Sequence, residues 1–244
     1  AQWRFPSERR WLSSPEENAL ARDPEVVREM FDRVARRYDL ANHLLSFGRD
    51  FFWRRRAAEI VAKWNPACVL DLATGSGDLA LALQDKIPRA QIVGLDFSSA
   101  MLTLARGKGV RQLIAADAAQ LPLAEQSFDA ITVAFGLRNV RDWAAALREI
   151  RRVLTSAGQL LVLDFSRPPK PILRFLYRFY LRRILPFASA IITREKEAYQ
   201  YLGSSIENFP SGRAMCDLIE ASGFQNAIAK SLTGGIVTIY AAEV

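Results

Sequence analysis

The most informative stretch of the chain reads Val69-Leu70-Asp71-Leu72-Ala73-Thr74-Gly75-Ser76-Gly77-Asp78. Its apolar start predicts a buried strand, which leads directly into a turn with two glycines and then into a helical pattern. Glycines let a backbone approach a ligand closely, and the free amides at the start of a helix favour anionic or polar ligand groups. The stretch therefore indicates a nucleotide-type cofactor site, although a simple tight turn between strand and helix would give the same pattern.

Two further carboxylates follow at comparable places downstream. Asp96 ends the strand pattern Ile92-Val93-Gly94-Leu95, about 20 residues after the glycine turn, where folds of this kind bind a ribose diol. Asp117 follows the next apolar run and is suited to the exocyclic amine of an adenine. Because the carboxyl ends of parallel strands meet at one edge of a sheet, these groups together predict an adenosine site. The alternative is that Asp96 and Asp117 only cap helices.

Short apolar runs alternate with helical patterns along most of the chain, which is typical of βαβ units and a mainly parallel sheet. Thr233-Gly234-Gly235 separates the last two runs as a hairpin-type turn, so this pair should be antiparallel. We predict an α/β fold with seven strands, at Cys68–Ala73, Gln91–Asp96, Arg111–Ala116, Ala130–Phe135, Gln159–Phe165, Ala227–Ser231 and Ile236–Ala241. Helices are predicted between them at Asp78–Gln84, Ser99–Ala105, Trp143–Leu154 and Gly212–Ala221.

The organisation of the chain follows from where these patterns begin and end. Residues 1–23 have no period and mix proline, serine and charge, so we predict a loosely docked arm. Residues 24–244 are expected to form one domain that starts with two amphipathic helices, the first running from Pro24 past Met30 and the second at Phe51–Trp64. A helical insertion at about 166–206 is expected to form a lid.

The chain is unusually basic for a protein of ordinary composition, with a formal net charge of +7 and a pI near 9.7. Such a protein is drawn to anionic surfaces, either membranes or nucleic acids. No stretch has the apolar length of a membrane span or a signal peptide. Cys68 and Cys216 fit small buried side chains in a reducing compartment, and His43 with scattered carboxylates predicts no metal site. We expect a cytoplasmic protein, with the inner face of the cell membrane as a surface that its charge would favour.

Dinucleotide dehydrogenases use the same sheet edge and are therefore an alternative class. They prefer a full Gly-x-Gly-x-x-Gly motif, and here Ala80 takes the third position. That replacement is tolerated, so the turn does not distinguish the two classes. Asp71 within the first strand and Asp129 at the start of the fourth, in Ser127-Phe128-Asp129, instead resemble the class I methyltransferases, which use S-adenosylmethionine.

A set of residues from about Val27 to the C-terminus narrows the resemblance further. It comprises Phe31-Asp32-Arg33-Val34-Ala35-Arg36-Arg37-Tyr38-Asp39, Asn42, Ser46-Phe47-Gly48, Trp53, Leu70-Asp71-Leu72-Ala73, Gly75, Gly77-Asp78, Phe135-Gly136-Leu137-Arg138-Asn139-Val140, Arg152-Val153-Leu154, Asp164-Phe165-Ser166, Tyr199, Tyr201-Leu202 and Ser205-Ile206. On these residues the chain resembles the UbiE/MenG family of quinone-biosynthesis C-methyltransferases. It departs from the family pattern, which usually has Met, His, Thr, Ser and Glu there, at Ala41, Asp50, Ser76, Ala134 and Asp164.

The resemblance implies a Rossmann-like class I methyltransferase that binds S-adenosyl-L-methionine, uses no metal and methylates a ring carbon of a polyprenylated hydroquinone. Overall similarity favours demethylmenaquinol, which is converted to menaquinol in menaquinone biosynthesis, and a polyprenyl benzoquinol of ubiquinone biosynthesis is the alternative. The predicted cofactor-binding residues are Asp71, Ala73, Gly75, Ser76, Gly77, Asp96, Phe97, Asp117, Ala118 and Ala134.

Carbon methylation needs an electron-rich ring, so the chemistry calls for groups that act on a hydroquinone hydroxyl. Arg138, at the end of the fourth strand, is predicted to stabilise the developing phenolate, with Asn139 as an orienting group. A salt bridge to a helix is the alternative role for Arg138. Four side chains are predicted either to cap the substrate ring or to pack the lid: Tyr38, Asn42, Tyr199 and Tyr201.

The lid contains Lys170-Pro171-Ile172-Leu173-Arg174-Phe175-Leu176-Tyr177-Arg178-Phe179-Tyr180-Leu181-Arg182-Arg183, in which an arginine recurs every fourth residue from Arg174 to Arg182. A basic amphipathic helix of this kind suits an anionic membrane interface, where a prenyl tail would enter. The alternative is a lid packed on the core with its arginines in solvent.

Two other functions remain open at this point. The positive charge would also suit an RNA or DNA methyltransferase, but Ala134-Phe135-Gly136-Leu137 stands where amino-methylating nucleic-acid enzymes carry an Asn/Asp-Pro-Pro-aromatic motif, and the chain has no Pro-Cys nucleophile. We therefore expect no nucleic-acid partner. A protein that binds the cofactor without catalysis is consistent with the same residues.

Overall fold

The computed structural model describes residues 25–33, 43, 46, 48–184 and 196–244, of which 196–200 are described by their backbone alone. The predicted arm at 1–23 and two of the predicted substrate-binding residues, Tyr38 and Asn42, lie outside the described residues.

A seven-stranded sheet with strand order β3-β2-β1-β4-β5-β7-β6 forms the centre of the molecule. Strands β1 to β5 pair in parallel, and β7 is antiparallel to both β5 and β6. The prediction of seven strands with an antiparallel last pair is therefore confirmed. The strands are β1 (Cys68–Leu72), β2 (Gln91–Asp96), β3 (Gln112–Ala115), β4 (Phe128–Ala134), β5 (Leu154–Phe165), β6 (Gln225–Leu232) and β7 (Val237–Glu243).

The strand order reverses direction between β1 and β4, and that reversal positions the site. The chain moves outward from β1 to β2 and β3, then returns to the other side of β1 with β4. Open α/β sheets bind their ligands in the crevice at such a switch point, outside the carboxyl ends of the strands.

Eight helices are described around the sheet, and each predicted helix between the strands is confirmed to within a few residues. Where their ends differ from the predicted ones, the difference is one to three residues; the helix predicted to reach Leu154, for example, ends at Val153. Leu154 is fully buried and pairs with Phe128, so it begins β5 instead. The helices are α1 (25–33), α2 (Arg49–Trp64), α3 (Asp78–Lys86), α4 (Ser99–Lys108), α5 (Trp143–Val153), α6 (Pro171–Phe179), α7 (Lys196–Asn208) and α8 (Arg213–Ala221).

Buried side chains form one apolar layer on each face of the sheet. Successive residues of a strand point to opposite faces, so Val69 and Leu70 of β1 belong to different layers. Helices α2, α3 and α4 cover the face of Val69, for example through Val61, and helices α5 and α8 cover the face of Leu70, for example through Ile150. This three-layer packing holds the carboxyl edge of the sheet between rigid elements.

The inserted segment after β5 contains two helices, α6 and α7, which we call the lid. They pack together through Tyr177 of α6, Ile206 of α7 and Leu181 of the π-helical turn Tyr180–Ile184 that continues α6. Arg174 and Arg178 of α6 and Arg182 of the turn after it are exposed, as their period predicted, and each of them also has a partner. Arg174 donates to the carbonyl oxygens of Pro168 and Pro169, and Arg178 and Arg182 pair with Glu207.

The lid also exposes an apolar face, which was not predicted from the sequence. Ile172 and Phe175 are 78% and 70% exposed, and Leu176 and Phe179 lie beside them with more than half of their surface exposed. These four residues recur at helical spacing, so they form one stripe along α6. Within the described part of the chain, no helix is long and apolar enough to cross a membrane.

Candidate active site

Close backbone packing forms the turn that follows β1. Gly77, with φ of 87°, comes directly before α3, and a Cβ there would lie 2.6 Å from Cγ2 of Val110. Gly136, after β4, packs so tightly on Ala73 that an added Cβ would overlap the Ala73 side chain. Both positions need glycine, because the loops after β1 and β4 approach each other and α4 without space for a side chain.

A cavity of about 330 Å³ opens where these loops meet, at the carboxyl ends of β1 to β4. It brings together most of the predicted site, since its wall includes Asp71, Ala73, Gly75, Ser76, Asp96, Phe97, Asp117, Ala118, Ala134 and Asn139. Two of the predicted cofactor-binding and catalytic residues do not line it. Gly77 is used for packing behind the turn, and Arg138 lies on the far side of the loop after β4.

Asp96 presents a buried carboxylate at the end of β2. Its Oδ2 accepts the backbone N–H of Gly75 at 2.8 Å, and its Oδ1 accepts that of Ser98 at 2.9 Å. The cap of α4 is the Ser98 hydroxyl, so the alternative that Asp96 only caps a helix is wrong. The backbone N–H of Phe97 also stabilises the carboxylate, and because a carboxylate offers about four lone-pair sites, it can still accept a ribose hydroxyl. Burial raises the pKa of Asp96 to about 6.

The neighbouring part of the cavity suits an adenine. Asp117 accepts the backbone N–H of Ala119 through Oδ1 at 2.8 Å and lines the wall beyond β3. Phe31 of α1 also lines the wall and packs edge-on against Phe97, with ring centroids 6.3 Å apart. Two apolar rings beside two acidic acceptors are what an adenosine needs. The described residues therefore fit the nucleoside of S-adenosylmethionine.

Asp71 joins the two central strands beneath the cavity. Its carboxylate accepts the hydroxyl of Thr74 at 2.6 Å, from the turn after β1, and that of Thr132 at 2.7 Å, from β4. Burial raises the pKa of Asp71 to about 6, although both hydrogen bonds and the charge of Arg54 oppose the rise. The carboxylate is ionised at neutral pH and keeps the turn after β1 in place.

Aromatic side chains form the wall beyond β4. Phe135 has a positive φ of 58° and packs against Phe165 and Trp53, with ring centroids 4.8 and 6.0 Å away. Asn139 faces the cavity, and among the described residues its buried Oδ1 has no hydrogen-bond partner. This end of the cavity therefore offers a flat apolar surface and one amide that is not fully paired.

Arg138 does not reach the cavity in this structure. Its guanidinium is buried and pairs with Asp164 of β5, NH1 to Oδ1 at 2.8 Å, and it also donates to the carbonyl oxygen of Phe135. The partner is thus a strand carboxylate and not a helix. Contact between Arg138 and a substrate stays a prediction.

The predicted substrate cap is described only in part. Tyr201, on α7, is half-buried and does not line the cavity. Tyr199 lies on the same helix, with its side chain outside the described residues. Their contact with a substrate also stays a prediction.

Sequence reasoning missed Arg54, which lines the cavity from α2. NH1 of Arg54 lies 2.7 Å from Oδ2 of Asp50, and that same oxygen lies 2.5 Å from Nδ1 of His43. Asp78, which also faces the cavity, pairs with Lys108 at 2.6 Å. In the sequence Arg54 is one of three consecutive arginines. Only the way α2 packs on the sheet shows that Arg54 faces the cavity and that the other two do not.

These contacts also correct one expectation about the carboxylates. His43, Asp50 and Asp78 were expected to be scattered, but their ligand atoms lie within 4.8 Å of one another. Arg54 and Lys108 pair with the two carboxylates and balance their charge. The cluster is therefore an ion-pair network beside the cavity.

The sequence matches known proteins along nearly its whole length. Residues 19–243 match the model of the ubiE/COQ5 methyltransferase family. The chain belongs to this family. Among its relatives is an enzyme of Thermus thermophilus named demethylmenaquinone methyltransferase, 44% identical over 88% of this chain and 99% of that protein. Another is a ubiquinone/menaquinone biosynthesis C-methyltransferase UbiE of Syntrophotalea carbinolica, 45% identical over 90% of this chain and 94% of that protein.

Solved structures agree on the fold. A SAM-dependent methyltransferase of Thermotoga maritima superposes with a TM-score of 0.64 at 20% identity, covering 88% of this chain and 98% of that one. The plantazolicin methyltransferase BpumL, solved with S-adenosylhomocysteine, gives 0.63 at 12% identity, covering 93% and 96%. The class I methyltransferase fold predicted from the sequence is confirmed. With the family and the cavity, this identifies the protein as a methyltransferase that uses S-adenosylmethionine.

Asp96→Ala should lower the affinity for S-adenosylhomocysteine about ten- to a hundredfold, because hydrogen bonding to a charged acceptor is lost. In the unaltered enzyme, affinity should be full above pH 6 and should fall as the pH drops through about 6, where Asp96 takes up a proton. Calorimetry measures both effects, with Asp85→Ala as a control at an exposed carboxylate. Unchanged affinity in Asp96→Ala would contradict the assignment of the ribose site.

Proposed function

We propose that this enzyme methylates a ring carbon of a polyprenylated hydroquinone, with demethylmenaquinol as the acceptor. The observation that carries the proposal is the position of the segment from Phe135 to Val140, which forms the cavity wall beyond β4. That segment carries much of the family resemblance, and it lies where a bound cofactor would present its methyl group. The names of the relatives support the same acceptor.

The residues of the cavity suit such a transfer. S-adenosylmethionine supplies an electrophilic methyl group when bound, and Asp96, Asp117 and the backbone of the turn after β1 would hold it. In such a transfer the acceptor ring carbon would form the new carbon–carbon bond as the carbon–sulfur bond breaks, S-adenosylhomocysteine would be the leaving group, and the ring proton would pass to water. Phe135 gives the ring a flat surface and Asn139 an amide that can orient a hydroxyl, so positioning provides much of the acceleration.

An acceptor assay tests the proposal directly. The enzyme is incubated with methyl-labelled S-adenosylmethionine and, in parallel, reduced demethylmenaquinone, a polyprenyl benzoquinol precursor or bulk RNA. We expect label in the naphthoquinol, because relatives that cover 88% and 90% of this chain are named for it. The benzoquinol arm is included because other relatives are named for both quinones. Label in RNA alone would overturn the proposal.

We also propose that Arg138 stabilises the negative charge that develops on the acceptor oxygen, through the loop after β4. The guanidinium of Arg138 is buried, where it pairs with the carboxylate of Asp164 and donates to the carbonyl oxygen of Phe135. Asp164 offsets part of this positive charge, so the ion pair acts as a fixed dipole, and its field is screened less than it would be in water because the surroundings cannot reorient as water does.

Arg138→Gln should lower kcat about a hundredfold or more and leave the affinity for S-adenosylhomocysteine unchanged. The substitution also leaves Asp164 as an unpaired buried charge, at a cost of about 3–5 kcal/mol in stability. The double variant Arg138→Gln/Asp164→Asn removes that charge, so it should recover Tm but not kcat. If the double variant recovers kcat as well, Arg138 acts only by holding the fold.

We propose, further, that the enzyme works at the inner face of the cell membrane, with the apolar stripe of α6 touching an anionic bilayer. Four exposed large apolar side chains cost free energy in water and gain it at an interface. Lys170 and Arg183 at the two ends of the segment are exposed, and the chain carries a net charge of +7, which complements anionic lipid. A prenyl tail lies in the same bilayer, so the stripe would bring the lid to the acceptor.

Ile172→Ser/Phe175→Ser should weaken binding to phosphatidylglycerol vesicles about tenfold or more, because each side chain buries apolar area at the interface. Sedimentation with vesicles measures the effect, and phosphatidylcholine vesicles should bind less of the unaltered enzyme. Ile228→Ser is a matched control, since Ile228 is equally apolar and 64% exposed but lies on β6. Equal binding of the double variant and the unaltered enzyme would contradict a membrane role for the stripe.

A further inference from the structure

Arg54 faces the central end of the cavity. Its guanidinium carbon lies 5.3 Å from the centre of the Phe135 ring, directly after β4, and its charge lowers the pKa of Asp71 on β1. Arg54 therefore sits over the junction of β1 and β4. It does not sit over β2 and β3, where Asp96 and Asp117 lie.

The strand order fixes which part of the cofactor would meet this arginine. Asp117 follows β3 and Asp96 ends β2, so the adenosine occupies that side of the cavity. The next strands along the edge are β1 and then β4. The amino-acid part of the cofactor must therefore extend over β1 toward β4, which is the side where Arg54 lies.

The guanidinium has donors left for a ligand. Among the described residues it makes one hydrogen bond, from NH1 to Asp50, while NH2 is 3.8 Å from Oδ2 of Asp78 and beyond hydrogen-bond distance. Arginine has five N–H donors in a planar fork that matches a carboxylate. The cavity wall in the described part of the chain contains one other cation, Arg141, which is exposed and lies beyond Asn139.

Asp50 holds the guanidinium in place from the side away from the cavity. Its Oδ1 accepts the Ser46 hydroxyl at 2.7 Å, and its Oδ2 contacts both His43 and Arg54. Burial raises the pKa of Asp50, but the hydrogen bond from Ser46 and the charge of Arg54 outweigh that effect and keep the pKa below its usual value. Asp50 is thus ionised at neutral pH and orients Arg54.

We propose that Arg54 binds the α-carboxylate of the methionine part of S-adenosylmethionine, in an orientation that Asp50 fixes. The N-terminal helices then do more than cover the cavity, because α2 supplies the group that recognises the charged end of the cofactor. The inference rests on the cofactor and not on the identity of the methyl acceptor, so it can fail while the quinol assignment holds.

The test compares two ligands that differ only in the carboxylate, S-adenosylmethionine and its decarboxylated form. We expect the unaltered enzyme to bind the decarboxylated ligand about ten to a hundred times more weakly, the usual effect of a charge-assisted hydrogen-bonded pair. In Arg54→Gln this ratio should fall to about one, through loss of affinity for S-adenosylmethionine alone. Calorimetric Kd values for both ligands give the ratio without any need for turnover.

The controls separate recognition from folding. Arg55→Gln, one residue away on the same helix, alters an exposed arginine paired with Glu59 and should leave the ratio unchanged. Arg54→Lys keeps the charge and should give an intermediate ratio even if Arg54→Gln does not fold. Equal affinity of the unaltered enzyme for the two ligands, or equal weakening of both in Arg54→Gln, would overturn the proposal.

Discussion

The buried carboxylate of Asp71 is the interaction on which the rest of the site depends. It lies between two strands and accepts one hydroxyl from each side, Thr74 from the turn after β1 and Thr132 from β4. Loss of either hydroxyl would leave a buried acceptor unpaired, which costs about 1–3 kcal/mol. With Asp71 in place, the two loops can approach until Gly136 meets Ala73, and that contact forms the floor of the cavity.

Neighbouring strands contribute different groups at the carboxyl edge of the sheet. Strand β2 and the segment after β3 offer acidic acceptors for an adenosine, while β1 and β4 offer backbone, aromatic rings and nearby charge. Arg54 and Arg138 lie on opposite sides of Phe135, the first over the cavity and the second behind its wall. Each is held by its own aspartate, Asp50 or Asp164, so neither charge depends on solvent for its position.

Much of the fold and of the cofactor site could be predicted from the sequence, because both follow from local patterns of apolar, polar and glycine residues. Strand β2 has the predicted bounds, and Asp96 lies at the cavity because an apolar run ends there. Features that depend on packing could not be predicted. The pairing of Arg138 with Asp164, residues 26 positions apart, requires β4 and β5 to be adjacent. The period correctly predicted that Arg174, Arg178 and Arg182 are exposed, but the pairing of the last two with Glu207 and the exposed apolar stripe of α6 depend on how the lid packs.

A crystal structure with S-adenosylhomocysteine would show whether the cofactor lies along this sheet edge with its adenine at β3 and its amino-acid part toward β4. We expect both ribose hydroxyls within hydrogen-bond distance of Asp96, the adenine beside Asp117, and the sulfur directed toward Phe135. A ligand bound in the reverse direction, with its adenine over β4 and its amino-acid part beside Asp117, would contradict it.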